Sequence, residues 1–134
     1  MSVFADTSAL YAAMVRTEDR HHECLNIFKK LIESGRSLRT TSYVLLETTA
    51  LLQHRIGISP VRDFDEHILP LLSVRWVSEE LHRQGMKRLM RENKRSLSLT
   101  DCVSFEFMKS EGIRDAFALD RHFSDAGFQL LVKK

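Results

Sequence analysis

Four acidic residues stand where an isolated acid is energetically out of place. Asp6 and Asp120 directly follow the apolar runs Val3-Phe4-Ala5 and Phe117-Ala118-Leu119. If those runs are strands, both acids lie at carboxyl ends, the edge where open α/β sheets bind ligands. Glu47 is the only charged residue from Thr41 to His54, and on a helix it shares a face with Tyr43, Val44, Ala50 and Leu51. Asp101 precedes Phe105 and Met108 by four and seven residues, so it too points along an apolar face. An ionised, unpaired carboxylate on such a stripe carries a desolvation cost on the order of several kcal/mol.

Each acid also has a plain structural reading. Glu47 fits the margin of a buried face or a partner for an arginine. Ser98-Leu99-Thr100-Asp101 fits a capping box. Asp6 and Asp120 suit N-caps leading into Ala9-Leu10-Tyr11 and Arg121-His122-Phe123. The conjunction is what points to chemistry: two acids ending strands and two on apolar helix faces can all project into one cleft. Carboxylates gathered without cations repel and raise one another's pKa. A hard divalent cation removes that repulsion, and Mg²⁺ or Mn²⁺ accepts carboxylate oxygens and waters.

The elements that must position these acids follow from the pattern of the chain. Its 134 residues fit one domain, 1–134, large enough to fold without a disulfide or metal. Hydrophobic residues are 43% and charged residues 28%, which argues against wholesale disorder. A formal charge of +2 neither establishes nor opposes nucleic-acid binding. Cys24 and Cys102 are far apart with no C-x-x-C pair, which suits a reducing compartment. No signal peptide or membrane-length apolar run is visible, so the expectation is a cytoplasmic protein that does not engage a membrane.

Short apolar runs predict strands at Val3 to Ala5, Leu38 to Thr41, Leu72 to Val77, Ala116 to Leu119 and Phe128 to Val132. Helical spacing predicts helices over 18–33, 42–55, 78–93 and 99–110, with Ser59-Pro60 as a further helix start. In the 78–93 helix, Leu81, Leu89 and Met90 are expected to face the core. Alternating strands and helices predict a three-layer α/β/α sandwich around a mainly parallel sheet.

The motifs and their order resemble the PIN-domain family of nucleases, and within it the VapC-type toxins of toxin–antitoxin pairs. Val3-Phe4-Ala5-Asp6-Thr7-Ser8 resembles the opening motif, Ser42 to Glu47 the central acidic helix, Leu97 to Cys102 the third acid at a helix start, and Ala118 to Phe123 with Ala126-Gly127-Phe128 the closing motif. Ala118 departs from the Thr or Ser that relatives often carry there, which weakens the case for Asp120 most. Asp125 offers a further carboxylate nearby, although the turn before Gly127 also explains it.

The resemblance implies a PIN-like fold, broadly of ribonuclease-H-like architecture, and Mg²⁺- or Mn²⁺-dependent endoribonuclease activity leaving 5′-phosphate ends. It assigns Asp6, Glu47, Asp101 and Asp120 as catalytic metal-binding acids, with Asp120 assisting or holding a second ion. Ser8 is either a helix-capping residue or the hydroxyl that orients a water or phosphate oxygen, and Arg121, by its position beside Asp120, is a local candidate for phosphate contact. It further implies RNA as substrate, a homodimer, and a small antitoxin covering the acidic cleft. The alternatives are an RNA-processing nuclease without a toxin role, or a non-catalytic RNA-binding or scaffold member.

Other signals are weaker. Lys87, Arg88, Arg91, Lys94 and Arg95 form a basic cluster that suits a solvated helix face as well as RNA. His21, His22, His82 and His122 lack H-x-x-x-H spacing and suit surface or helix-end positions. Asp6 is followed by Thr7-Ser8 rather than x-Asp, unlike haloacid-dehalogenase-like phosphatases, and no G-x-S-x-G elbow supports a serine hydrolase.

Overall fold

The computed structural model describes residues 1–133. The elements run β1 (Ser2–Ala5), α1 (Thr7–Met14), α2 (His21–Glu33), β2 (Ser37–Thr41), α3 (Ser42–Arg55), α4 (Ile58–Asp63), β3 (Ser73–Arg75), α5 (Glu79–Glu92), α6 (Leu99–Glu111), β4 (Asp115–Phe117), α7 (His122–Asp125) and β5 (Gln129–Leu130). The five strands form one sheet in the order β3-β2-β1-β4-β5, and every pairing is parallel. Among the described residues, no helix is long and apolar enough to cross a membrane.

The central strand explains the layering. Val3, Phe4 and Ala5 are wholly buried, as an interior parallel strand covered on both faces requires. Phe4 packs against Phe107 of α6 and Phe123 of α7, with ring centroids 6.0 Å apart in each case. Phe117 of β4, paired with Ala5 and so on the opposite face from Phe4, meets Phe28 of α2 at the same separation. One helical layer thus holds α2 and the other α6 and α7. β1 has β2 on one side, reached through α1 and α2, and β4 on the other, reached only after β3, α5 and α6. The chain therefore reverses its direction across the sheet between β1 and β4, which places the ligand-binding crevice at their carboxyl ends.

Three expectations need correction. The strands expected at Leu72 to Val77, Ala116 to Leu119 and Phe128 to Val132 pair over only two or three residues each, because the backbone leaves the ladder to form the loops at the sheet edge. Ser59 does not cap a helix. Gly57, with φ of 145°, opens α4 at Ile58, and the chain continues through a π-helical turn (Phe64–Ile68) and a 3-10 turn (Leu69–Leu71) that have no simple apolar period. Met90 is 69% exposed rather than in the core. Leu81, Gly85 and Leu89 repeat every four residues along the inner face of α5, and Met90 lies about 100° further round the helix.

Gly85 is where α5 crosses α6. A Cβ there would lie 2.5 Å from Val103 Cγ2 and 3.3 Å from Val103 Cα, so the absent side chain is what lets the helices approach. Gly85→Ala gains about 1 kcal/mol of helix propensity but overpacks the crossing by about 1–3 kcal/mol. The expected outcome is a lower Tm in a thermal melt; an unchanged or higher Tm would show that α5 can move outward freely.

Candidate active site

β1 and β4 deliver two of the acids. The Asp6 amide donates to Phe117 O at 3.0 Å, the last rung joining the two strands before their chains diverge. Asp6 then caps α1, its Oδ2 accepting from the Ser8 amide at 3.2 Å and from the Ser8 hydroxyl at 2.6 Å. That hydroxyl in turn accepts from the Leu119 amide at 2.9 Å. Ser8 therefore ties the first acid to the residue preceding Asp120. Asp120 Oδ1 accepts from the His122 amide at 2.9 Å, closing a short turn into α7.

The helices supply the other two. Asp101 forms the full capping box of α6: its amide donates to Ser98 Oγ at 3.0 Å and its Oδ2 accepts from the Ser98 amide at 3.5 Å. Thr7 Oγ1 lies 2.9 Å from Thr48 Oγ1 and donates to Val44 O at 3.3 Å, fastening the start of α1 to α3, which carries Glu47. Glu47 itself differs from expectation. It is exposed, because the buried face of α3 is Val44, Thr48 and Leu52, and Leu46, Glu47 and Ala50 face outward. It stands on the rim of the site and not on a desolvated stripe.

The acids register one another electrically. Burial pushes the Asp6 carboxyl up to about 6, against the pull of the two Ser8 hydrogen bonds, and the charges of Glu47 and Asp120 add to the rise. Asp101 is pushed up to about 7, first by burial and then by the charges of Asp6 and Asp120, with its Ser98 bonds acting in opposition. Among the described residues no lysine or arginine forms an ion pair with any of the four acids. Arg88 is committed elsewhere: its Nε binds Glu106 at 2.7 Å and its guanidinium stacks over Phe105. Cys102, adjacent to Asp101, has its thiol raised to about 11 by burial and is a poor ligand at neutral pH.

One residue in the site lacks a signal in ordinary motif reading. His122 Nδ1 is screened from solvent, 2.9 Å from Asp120 Oδ1 and 3.8 Å from Asp101 Oδ2, yet hydrogen-bonds to neither. Asp101, Asp120 and His122 each offer an atom within 4.8 Å of the others, the one such three-residue group of possible metal ligands among the described residues. The available clue was the i, i+2 spacing from Asp120, because the turn that Asp120 caps folds the histidine back over it. An oxygen-rich donor set, short of positive charge and holding an orphaned buried nitrogen, fits a divalent cation.

The remaining candidates lie further out. Arg121 is 74% exposed, with Nε 3.8 Å from Asp125 Oδ2. Asp125 is exposed and outside the cluster. Lys94 does not continue the helical part of the basic cluster, because Asn93 takes the left-handed conformation that ends α5. Lys94 instead lines a small cleft with Arg88, His122 and Asp125.

The chain matches the PIN domain over residues 3–129. It is 34% identical over 128 residues to the 23S rRNA-specific endonuclease VapC20 of two Mycobacterium tuberculosis strains, covering 94% of this chain and 95% of each relative. The crystal structure of M. tuberculosis VapC20, described as a Sarcin-Ricin loop cleaving toxin, superposes with a TM-score of 0.82 at 32% identity, covering 94% of this chain and 95% of that one.

The raised carboxyls give the metal-free protein a pH-dependent stability of known sign. Folded-state values near 6 and 7 exceed the ordinary carboxylate range, so the folded protein holds protons that the unfolded chain releases. Their stabilising contribution is full below about pH 4 and is lost as pH rises through about 6 to 7. Metal-free protein should therefore melt at a lower temperature at pH 8 than at pH 5.5. Asp101→Asn, which keeps the cap acceptor but cannot ionise, should flatten much of that slope; a slope as steep as wild type would remove Asp101 as its source.

Proposed function

The chain belongs to the PIN domain family, and on that footing we propose that it is a divalent-metal-dependent endoribonuclease, the toxin of a VapBC-type toxin–antitoxin pair. The observation that carries the reading is the group of Asp6, Asp101 and Asp120 beside the carboxyl ends of β1 and β4, mutually repelling and, among the described residues, paired with no lysine or arginine. The whole chain acts as one domain. Asp6, Asp101 and Asp120, with Glu47 from the rim, would hold Mg²⁺ or Mn²⁺. Held there, such an ion would supply an acidified bound water as nucleophile and positive charge at the scissile phosphate.

The protein's own groups have separable tasks. Ser8 holds Asp6 and the Leu119 backbone in one geometry, so that the two strand-end acids move together, and its oxygen faces the site's hydrogen-bonding network. Lys94 and Arg121 flank the acids with exposed positive charge suited to RNA phosphates. The likeness to VapC20 supports structured ribosomal RNA as substrate, with the sarcin–ricin loop of 23S rRNA the first target to test. It also supports a cytoplasmic protein neutralised by a small antitoxin over the acidic cleft. A homodimer would give cover to large exposed side chains such as Leu46, Trp76 and Met90.

Metal-stripped wild type and Asp6→Asn should be incubated with a sarcin–ricin-loop RNA and with a mixed structured RNA pool, with and without Mg²⁺ or Mn²⁺. The expected result is metal-dependent cutting with 5′-phosphate ends, reduced at least about 100-fold in Asp6→Asn. Equal cutting by both proteins contradicts the assignment of Asp6. Absence of both cutting and divalent-ion binding favours a scaffold role. Lys94→Ala and Arg121→Ala should each raise KM and reduce the salt dependence of binding by about one phosphate contact; unchanged salt slopes would place the RNA path elsewhere.

A further inference from the structure

Among the described residues His122 is the one imidazole that reaches the acids, and its surroundings prepare one particular nitrogen. Its Nε2 lies 3.3 Å from Ser96 Oγ in the loop before α6. When Nε2 carries the proton and donates it to that hydroxyl, Nδ1 presents a bare lone pair to the interior. That lone pair faces two carboxylates, 2.9 Å from Asp120 Oδ1 and 3.8 Å from Asp101 Oδ2, with no hydrogen bond to offset the repulsion. A buried acceptor held against two anionic oxygens is an unfavourable arrangement that a cation among the three atoms reverses. The ring is also fixed in the usual manner of ligand histidines, whose second nitrogen binds an oxygen outside the metal sphere.

We propose that His122 is a direct nitrogen ligand of the divalent ion, through Nδ1, alongside Asp101 and Asp120. This rests on the metal-dependent reading above and adds a consequence. An imidazole among carboxylates suits Mn²⁺ better than Mg²⁺, whose preference for oxygen donors is stronger. Asp120 caps the turn that brings His122 back over the acids, so the closing motif supplies two donors from residues two apart. The site is therefore tuned toward a transition-series ion rather than being indifferent between the two.

The test uses the intact, metal-free chain and Mn²⁺ alone as probe, read by pulsed electron paramagnetic resonance. Wild type loaded with Mn²⁺ should show a directly bound ¹⁴N coupling that converts to ¹⁵N when only histidine is isotopically labelled. The coupling should vanish in His122→Gln and persist in His82→Gln. By calorimetric competition, His122→Gln should lower the ratio of Mn²⁺ to Mg²⁺ affinity about ten-fold. Mn²⁺ binding with no nitrogen coupling, or with a coupling indifferent to histidine labelling or to His122→Gln, overturns the inference and leaves the nuclease reading standing. Wild type that takes up no Mn²⁺ overturns both. If His122→Gln does not fold, the labelled wild type decides the question, because no other histidine joins the ligand group among the described residues.

Discussion

The parallel pairing of β1 with β4 is the constraint from which the site follows. β1 is the first strand of the chain and β4 begins at residue 115, yet they lie side by side with Ala5 opposite Phe117. Their shared register brings Asp6 and the Leu119-Asp120 segment to one edge, and the Asp6 amide seals the last rung on Phe117. The starts of α1, α6 and α7 meet there: Asp6 caps α1, Asp101 lies in the first turn of α6, and His122 opens α7.

This arrangement makes two readings of each acid compatible. Asp6 caps α1, Asp101 completes the box of α6, and Asp120 closes the turn into α7. Capping uses one oxygen of a carboxylate and fixes its direction, leaving the other lone pairs available to an ion. The caps thereby supply preorganisation: a carboxylate held by backbone amides needs no large rotation when a cation arrives. The buried threonines serve the same end one layer down, since the Thr7–Thr48 contact anchors α3 and with it the rim carboxylate of Glu47.

Charge placement separates fold from site with equal clarity. Arg36, Arg39 and Arg88 bind Asp115, Glu111 and Glu106 at 2.6–2.7 Å, locking strands and helices together and leaving none of the three paired with the four acids. The cleft keeps its acids unneutralised, and the cost appears in the carboxyls of Asp6 and Asp101, both held well above the ordinary range. A fold selected only for stability would place an arginine there or bury fewer acids. The energetic penalty is a sign that something else supplies the positive charge.

Much of this was legible in residue order. The apolar runs ending in Asp6 and Asp120, the box from Ser98 to Asp101 and the lone charge on the 42–55 helix define four acids on elements whose type is set by local periodicity. Boundaries such as Ser42 to Arg55 follow from the same local physics, since a helix cap and a repeating apolar face are short-range properties. Other features depend on which strands become neighbours, and no local pattern records that. The exposure of Glu47 is decided by how α3 rolls against α1. The outward position of Met90 is set by the crossing of α5 over α6 at Gly85, and the two-turn irregular segment after α4 by the need to reach β3. His122 is the sharpest instance. As a residue type it suits any helix end, and only the β1–β4 pairing, with α6 packed beside it, brings Asp101 within reach of its ring. The sequence alone determined the main helices, the approximate places of the strands and the acids they carry, because these are written in spacing of a few residues. The tertiary structure alone decided which of those acids meet and which nitrogen joins them, because that depends on contacts between segments about a hundred residues apart.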